Sequence, residues 1–483
     1  MVFVHKRPLL AATLATIATA LLLLAGNGMN PVWPLMWIAF VPILLLAAET
    51  TSWLIAAASA ALSMLLGSLT MLYYLHFVLR APVTAWSIPF SLASLLFALG
   101  VLLFRGLLHR GAILSAIIAL PAFWTVVEYL SSFAPRNGTA FSLAYTQERF
   151  LPILQVASLT GPWGITFLLL LFPSALVSWL HLRRTKIAPA TYAALSAFVL
   201  LSAAILFGAL RLVTPSSPQN IEVGLLDTDT VVFANKSYEM QSLIQRYAKQ
   251  AESLASRGAK IVLMPEKTGL LTASNTTVVD STLQSVADRT GATLVIGVLH
   301  QVGPDSFNPG SFNEARIYTP DRPIATYNKQ HMLPPFESML TPGTSLTLLS
   351  NPTVPIGVAI CKDMDFIHPA LDYGRVNIDL LLDPAWDFNL DRLFHGHIAI
   401  MRGVEGGYAI AHAAKDGFLT VSDDRGRILG EARSDSAAFA SLLVNVPLHH
   451  DQTFFDRHGT WFPWMAGLLL LASALRLFTR VHL

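Results

Sequence analysis

Residues 355–366 read "PIGVAICKDMDF", an apolar run that ends at Cys361, the only cysteine of the chain, and turns at once into charge. The apolar part has the length and branched content of a buried strand. A lone thiol at a strand end is most often core filling, so its neighbours in the pattern decide how it is read. Similar short apolar runs flank it on both sides: "IEVGLLD" (221–227), "KIVLMPE" (260–266), "TLVIGVL" (293–299), "DLLLDPAW" (379–386) and "YAIAHAA" (408–414). Helical patterns lie between them, at 236–258, 278–291 and 391–407, two of them closed by Gly258 and Gly291. The segment 315–329, "ARIYTPDRPIATYNK", reads as a hairpin turning at "TPDR". Short strands alternating with helices predict a layered α/β domain over 219–448.

The rest of the chain is of another kind. Of its 483 residues 53% are hydrophobic and 13% charged, against about 25% charged in ordinary soluble domains. Eight apolar stretches approach the roughly 20 residues needed to cross a bilayer: 8–25, 31–48, 53–76, 84–104, 112–132, 152–180, 190–212 and 461–479. Seven precede the α/β domain, within 1–215, and one follows it, at 460–479. The sixth contains "TGPWG" and is expected to break there. With eight alternating spans, Lys6, Arg7, Arg105, Arg110, Arg183, Arg184, Lys186 and Arg480 fall on one side, and Arg80, Arg136 and Arg149 on the other. The positive-inside rule makes the richer side cytoplasmic, so the α/β domain is expected outside the cytoplasm, on the outer face of a bacterial inner membrane. Glu128 lies within a span, where a carboxylate marks either a functional cavity or the interface.

Net charge is only +2 and no long basic run suggests nucleic acid. One cysteine cannot form an intramolecular disulfide. The pair His395 and His397 is two apart on a helical pattern, so the rings point apart. No phosphate-binding loop, dinucleotide fingerprint or helical zinc motif is present. No metal and no cofactor is therefore expected.

The polar residues that end strands do combine into one chemistry. Glu266 follows "IVLMP", Lys329 follows "IATYN" and Cys361 follows "IGVAI". A thiol attacks an acyl carbon, a carboxylate moves its proton, and an ammonium with a backbone N–H holds the oxyanion. A helical turn opening after Cys361, together with Lys362, is expected to lower the thiol pKa. Trp386 and Phe388 are candidates to line an acyl pocket. Met332, Leu333 and Phe336 form an apolar loop suited to a lid.

The order "MPE", "YNK", "ICKD" resembles the Glu–Lys–Cys pattern of the nitrilase (carbon–nitrogen hydrolase) superfamily. "LPPFE", "DPAWDF" and "HIAIMRGVEGG" extend the likeness. With eight spans around it, and with "PAFWTVVEYL" and "FSLAYTQ" in the membrane part, the chain is similar to the apolipoprotein N-acyltransferase family. That resemblance implies an α-β-β-α sandwich and a monomer. It also implies acyl transfer from a phospholipid through a thioester to the N-terminal amine of a lipoprotein. Glu266 would be general base and acid, Lys329 the oxyanion group and Cys361 the nucleophile. Glu337, Lys362 and Trp386 would support them or contact substrate. Lys362 and Asp363 stand where the family commonly has an aromatic residue and Glu, and Lys267 and Thr268 where it has Thr-Ala. Two other readings use the same residues: a membrane-anchored amidase, in which water replaces the amine, and a non-catalytic membrane protein in which Cys361 is structural.

Overall fold

The structure is a computed structural model that describes residues 6–183, 185–213, 219–231, 233–303, 310–349 and 354–478. Arg184 and Arg480, two cations of the orientation argument, lie outside the described residues. The chain divides into two compact units. The first comprises Met1–Ala134, Phe141–Val213 and His458–Leu483. The second comprises Pro135–Ala140 and Thr214–Arg457.

In the first unit, five helices are long and apolar enough to cross a membrane: α1 (Pro8–Gly26), α2 (Val83–His109), α3 (Ile113–Ser131), α4 (Pro162–Leu182) and α5 (Ile187–Val213). A further pair, Trp53–Gly67 and Leu69–Val78, bends by 48° at Ser68. Shorter apolar helices cover the two other expected spans, at Trp33–Glu49 and Trp461–Leu475, and a third, Leu151–Thr160, forms the first part of the sixth stretch. The long sixth stretch does break at "TGPWG". Gly161 takes φ +65°, and Pro162 starts α4, since a proline at the first turn needs no N–H partner. Glu128 on α3 is buried and fully engaged. It accepts hydrogen bonds from Ser142 Oγ (2.6 Å), Thr166 Oγ1 (2.8 Å) and the Leu143 N–H (2.9 Å). This carboxylate therefore staples the Ser142–Leu143 turn to α3 and α4, rather than facing an aqueous interface.

The second unit holds, among the described residues, twelve strands in two sheets. Sheet one contains β1 (Asn220–Asp227), β2 (Ile261–Leu263), β3 (Leu270–Leu271), β4 (Thr293–His300), β5 (Phe312–Tyr318) and β6 (Ala325–Asn328). Its order is β12-β1-β2-β4-β5-β6, with β3 beside β4. Sheet two contains β7 (Ile356–Val358), β8 (Leu380–Trp386), β9 (Ala409–Lys415), β10 (Phe418–Ser422) and β11 (Ile428–Arg433), in the order β11-β10-β9-β8-β7. The last strand, β12 (Ala440–Pro447), returns to pair antiparallel with β1. The neighbours β1–β2, β2–β4, β7–β8 and β8–β9 are parallel, as strands linked through helices must be.

Two helices cover the outer face of sheet one: α6 (Ser237–Ser256) and α7 (Thr276–Thr290). On α6, Met240, Leu243, Ile244, Tyr247, Ala251 and Leu254 recur at helical spacing and are buried. They form one core with Val262, Leu294, Ile296 and Val298 of the sheet. Sheet two carries α8 (Ala370–Arg375) and α9 (Phe394–Gly406), and its other face packs on sheet one through β8, β9 and β10. The layers run helix, sheet, sheet, helix. Parallel strands β2, β7 and β8 are buried nearly throughout, so most of the polar groups near them gather where these strands end.

Candidate active site

Glu266 lies three residues past β2. Its backbone N–H reaches across to the Ala385 carbonyl on β8 at 3.3 Å. Gly297 on β4 makes that path possible: a Cβ there would stand 2.5 Å from the Glu266 Cα. Lys329 leaves β6 with its N–H on the Asn313 carbonyl at 2.9 Å. Its ammonium is 1% exposed. It lies 2.8 Å from Glu266 Oε1 and 3.0 Å from Glu337 Oε2. Burial opposes its charge, but the two carboxylates outweigh burial and raise the Lys329 pKa well above its ordinary value. Glu337 also accepts the Leu333 N–H at 2.8 Å, which folds the loop after Lys329 back over it.

Two residues in this cluster were not singled out as site residues by the sequence pattern. Asn313, inside β5, donates through Nδ2 to Glu337 Oε1 at 2.7 Å and to Glu266 Oε1, so it fixes the spacing of the two acids. Lys267, held at φ +44°, places its ammonium 2.6 Å from Glu337 Oε1 and 3.8 Å from Glu266. Burial alone would raise the Glu337 pKa, yet Lys329 and Lys267 hold it far below the usual carboxylate range.

Cys361 follows β7 and is buried, at 8% exposed. Its φ of +46° is left-handed, a conformation that costs a non-glycine residue about 1–3 kcal/mol. The compensation is visible. The Cys361 N–H donates to Asp383 Oδ1 at 2.6 Å, and hydrogen bonds to a charged group contribute about 1.5–3 kcal/mol. Asp363 closes the turn from below, its carboxylate accepting the Ile360 N–H at 3.1 Å. The same carboxylate accepts Tyr327 Oη (2.7 Å) and the N–H groups of Gln330 (3.0 Å) and His331 (2.8 Å). One buried acid thus ties the turn of Cys361 to the loop that leaves Lys329. Sγ lies 3.9 Å from the Trp386 carbonyl.

The thiol does not behave as the sequence suggests. A lowered pKa was expected from Lys362 and a helical turn. Instead burial, then Glu266, push the Cys361 thiol well above its ordinary range, with Lys329 pulling the other way and Asp387 and Asp383 adding to the rise. Residues Cys361–Asp365 form only a short 3-10 turn, and Lys362 is spent on Asp365, 2.8 Å from its Oδ2. At rest the Cys361 thiol is held in its neutral form.

Trp386 ends β8 and donates from Nε1 to Asp416 at 3.0 Å. Its ring is flanked by two ammoniums, Lys415 at 3.9 Å and Lys267 at 5.3 Å. Phe388 meets Phe336 with ring centroids 6.1 Å apart. The structure therefore brings Glu266, Lys329 and Glu337 into direct contact, and Glu266 and Lys329 into electrostatic reach of Cys361. Lys362 faces away into its own ion pair.

The chain therefore combines a helix–sheet–sheet–helix sandwich, with acid, ammonium and thiol at its strand ends, and helices long enough to cross a membrane. Comparison narrows this. Residues 18–175 match the family model described as the apolipoprotein N-acyltransferase N-terminal domain. The apolipoprotein N-acyltransferase of Geobacter metallireducens is 25% identical, over 97% of this chain and 95% of its own. That of Shewanella oneidensis is 24% identical, over 74% of each. Among solved structures, an amidase of the nitrilase superfamily from Nesterenkonia aligns with 52% of this chain and 98% of its own, at 20% identity and TM-score 0.43. The chain is thus similar to apolipoprotein N-acyltransferases along most of its length, and it carries several helices of membrane-spanning length.

Proposed function

We propose that this chain is a membrane acyltransferase. It moves an acyl chain from a phospholipid, through a thioester on Cys361, to an amine, by likeness the N-terminal amine of a lipoprotein. The observation that carries the reading is the buried Glu266–Lys329–Glu337 constellation beside a neutral thiol. A neutral thiol needs a base at the moment of attack, and Glu266 supplies it. Sγ bonds to the ester carbonyl carbon as its proton passes to Glu266. Negative charge on the carbonyl oxygen is met by the Lys329 ammonium and the Lys362 backbone N–H. Collapse breaks the ester C–O bond, and Glu266 returns the proton to the departing lyso-phospholipid oxygen. The amine then attacks the thioester, Glu266 takes its proton, and the C–S bond breaks to restore the thiol. Glu337 keeps Lys329 in place.

All these groups come from one chain, which supports a monomer. Eight spans follow if the bent pair is one span, Trp33–Glu49 and Trp461–Leu475 also cross, and Leu151–Thr160 belongs with α4: seven before the catalytic domain (219–448) and one after it. Lys6, Arg7, Arg105, Arg110, Arg183 and Lys186 then lie in the cytoplasm. The catalytic domain lies on the outer side of the inner membrane, where both lipid substrates are confined. The amidase alternative is disfavoured, because relatives matched along most of this chain are transferases by name. The test is incubation of the purified protein with phosphatidylethanolamine carrying a labelled acyl chain. Mass spectrometry should find the label on Cys361, and Cys361→Ala should abolish it. No adduct on the wild-type chain would sink the proposal.

A further inference from the structure

Behind the nucleophile lies a second charged cluster that the mechanism above does not use. Asp383 on β8 and His412 on β9 are direct partners in the parallel ladder. Asp383 Oδ1 takes the Cys361 N–H at 2.6 Å, and its Oδ2 meets His412 Nδ1 at 2.7 Å. His412 Nε2 lies 3.8 Å from Asp387 Oδ2, just past the end of β8. All three side chains are buried, none more than 2% exposed.

We propose that Asp383 and His412 are positioning residues for the nucleophile. Asp383 locks the left-handed backbone of Cys361, and His412 orients Asp383 and balances the two carboxylates that face the thiol. The proposal rests on Cys361 being the nucleophile.

Three physical points support it. A residue in a left-handed turn keeps that shape only where its surroundings over-determine it, and the Asp383 bond to the Cys361 N–H is a direct constraint. A carboxylate hydrogen-bonded through one oxygen alone would be free to rotate; His412 holds the other. Finally, the thiol is surrounded by Glu266 after β2, Lys329 after β6, and Asp383 and Asp387 on and beyond β8. Three acids against one ammonium would strongly oppose thiolate formation. His412 changes that balance. Burial disfavours its charge, but the hydrogen bond to Asp383 and the nearby Asp387 carboxylate raise it to about 10, so it is a cation at neutral pH.

The test uses the full chain in detergent with Asp383→Ala, Asp383→Asn and His412→Gln. Two readouts are taken: kcat and KM for acyl-enzyme formation from labelled phosphatidylethanolamine, and the pH profile of Cys361 alkylation by iodoacetamide. Asp383→Ala should lower kcat about 10- to 100-fold, the value of one hydrogen bond to a charged group, with KM nearly unchanged. Asp383→Asn keeps an oxygen acceptor and should restore most of that loss. His412→Gln leaves two uncompensated carboxylates and should move the alkylation midpoint to higher pH. If Asp383→Ala does not fold, the other two variants carry the test. Wild-type kcat and midpoint in all soluble variants would overturn the proposal. So would an unshifted midpoint in His412→Gln. A wild-type chain that forms no acyl-enzyme, yet shows the expected alkylation shifts, would reject the acyltransferase reading and leave the positioning role standing.

Discussion

Replacing Lys329 with methionine keeps the length of the side chain and removes its charge. The ammonium is 2.8 Å from Glu266 and 3.0 Å from Glu337. At an effective dielectric constant near 20, each contact is worth about 5–6 kcal/mol of gross attraction, most of which offsets the burial of three charges. Removing one partner from such a buried set typically costs about 3–5 kcal/mol. Lys267 remains 2.6 Å from Glu337, so the lower end, about 3 kcal/mol, is expected. For a domain of this size that corresponds to a fall in Tm of roughly 6–12 °C at pH 8. The sign with pH is also fixed. In the wild type, Glu337 is held far below its unfolded value of about 4.3, so its contribution is present above that pH and fades as the pH falls through it. The range from pH 8 to pH 5 lies above that value, so the deficit should be similar at both. Acyl-enzyme formation should drop about 10²- to 10³-fold through loss of the oxyanion group. Thermal scans of the full chain at the two pH values, with the labelled-lipid assay, read both effects. No Tm deficit at either pH would refute the electrostatic account.

Glu266→Gln removes the base without changing shape and should slow acylation about 10²- to 10⁴-fold; a change below tenfold would move the base elsewhere. Because burial and Glu266 raise the Cys361 thiol, alkylation by iodoacetamide should be slow at pH 7 and still climbing beyond the usual thiol value of about 8.5. A plateau by pH 7 would contradict that. Phe336 and Met339, 51% and 63% exposed on the loop after Lys329, offer apolar contact to lipid. Phe336→Asp should raise KM for phospholipid with little change in kcat, and an unchanged KM would count against the loop as a lid.

The sandwich was legible because its strands carry their signal locally. "IEVGLLD", "TLVIGVL" and "DLLLDPAW" became β1, β4 and β8 nearly as read. The three strand-end groups were legible for the same reason, each being the first charged or reactive residue after an apolar run. Asn313 and His412 were not. Both sit inside strands, Asn313 beside Glu314 and Arg316 in β5 and His412 among alanines in β9, and neither stands out until its partner on a distant element is seen. The only trace is that His412 interrupts the apolar run "AIAHAA". Lys362 misled for the opposite reason. Sequence adjacency placed its charge beside the thiol, but the turn at Cys361 rotates it onto Asp365. In the membrane part, composition found the apolar stretches, while Ser68 and Gly161 set the bends and breaks.

The short segment Pro135–Ala140 belongs to the second unit although membrane helices flank it in the chain. Thr139 donates its N–H to the Asp365 carbonyl at 2.7 Å, and its hydroxyl accepts from buried Arg402 at 2.8 Å. The turn that begins at Cys361 is thus completed by residues synthesised well before β1. A fragment cut at the domain boundary and expressed alone would lack this piece of its own wall. The turn at Cys361 is therefore a joint product of two segments far apart in the chain, so its shape depends on both being present.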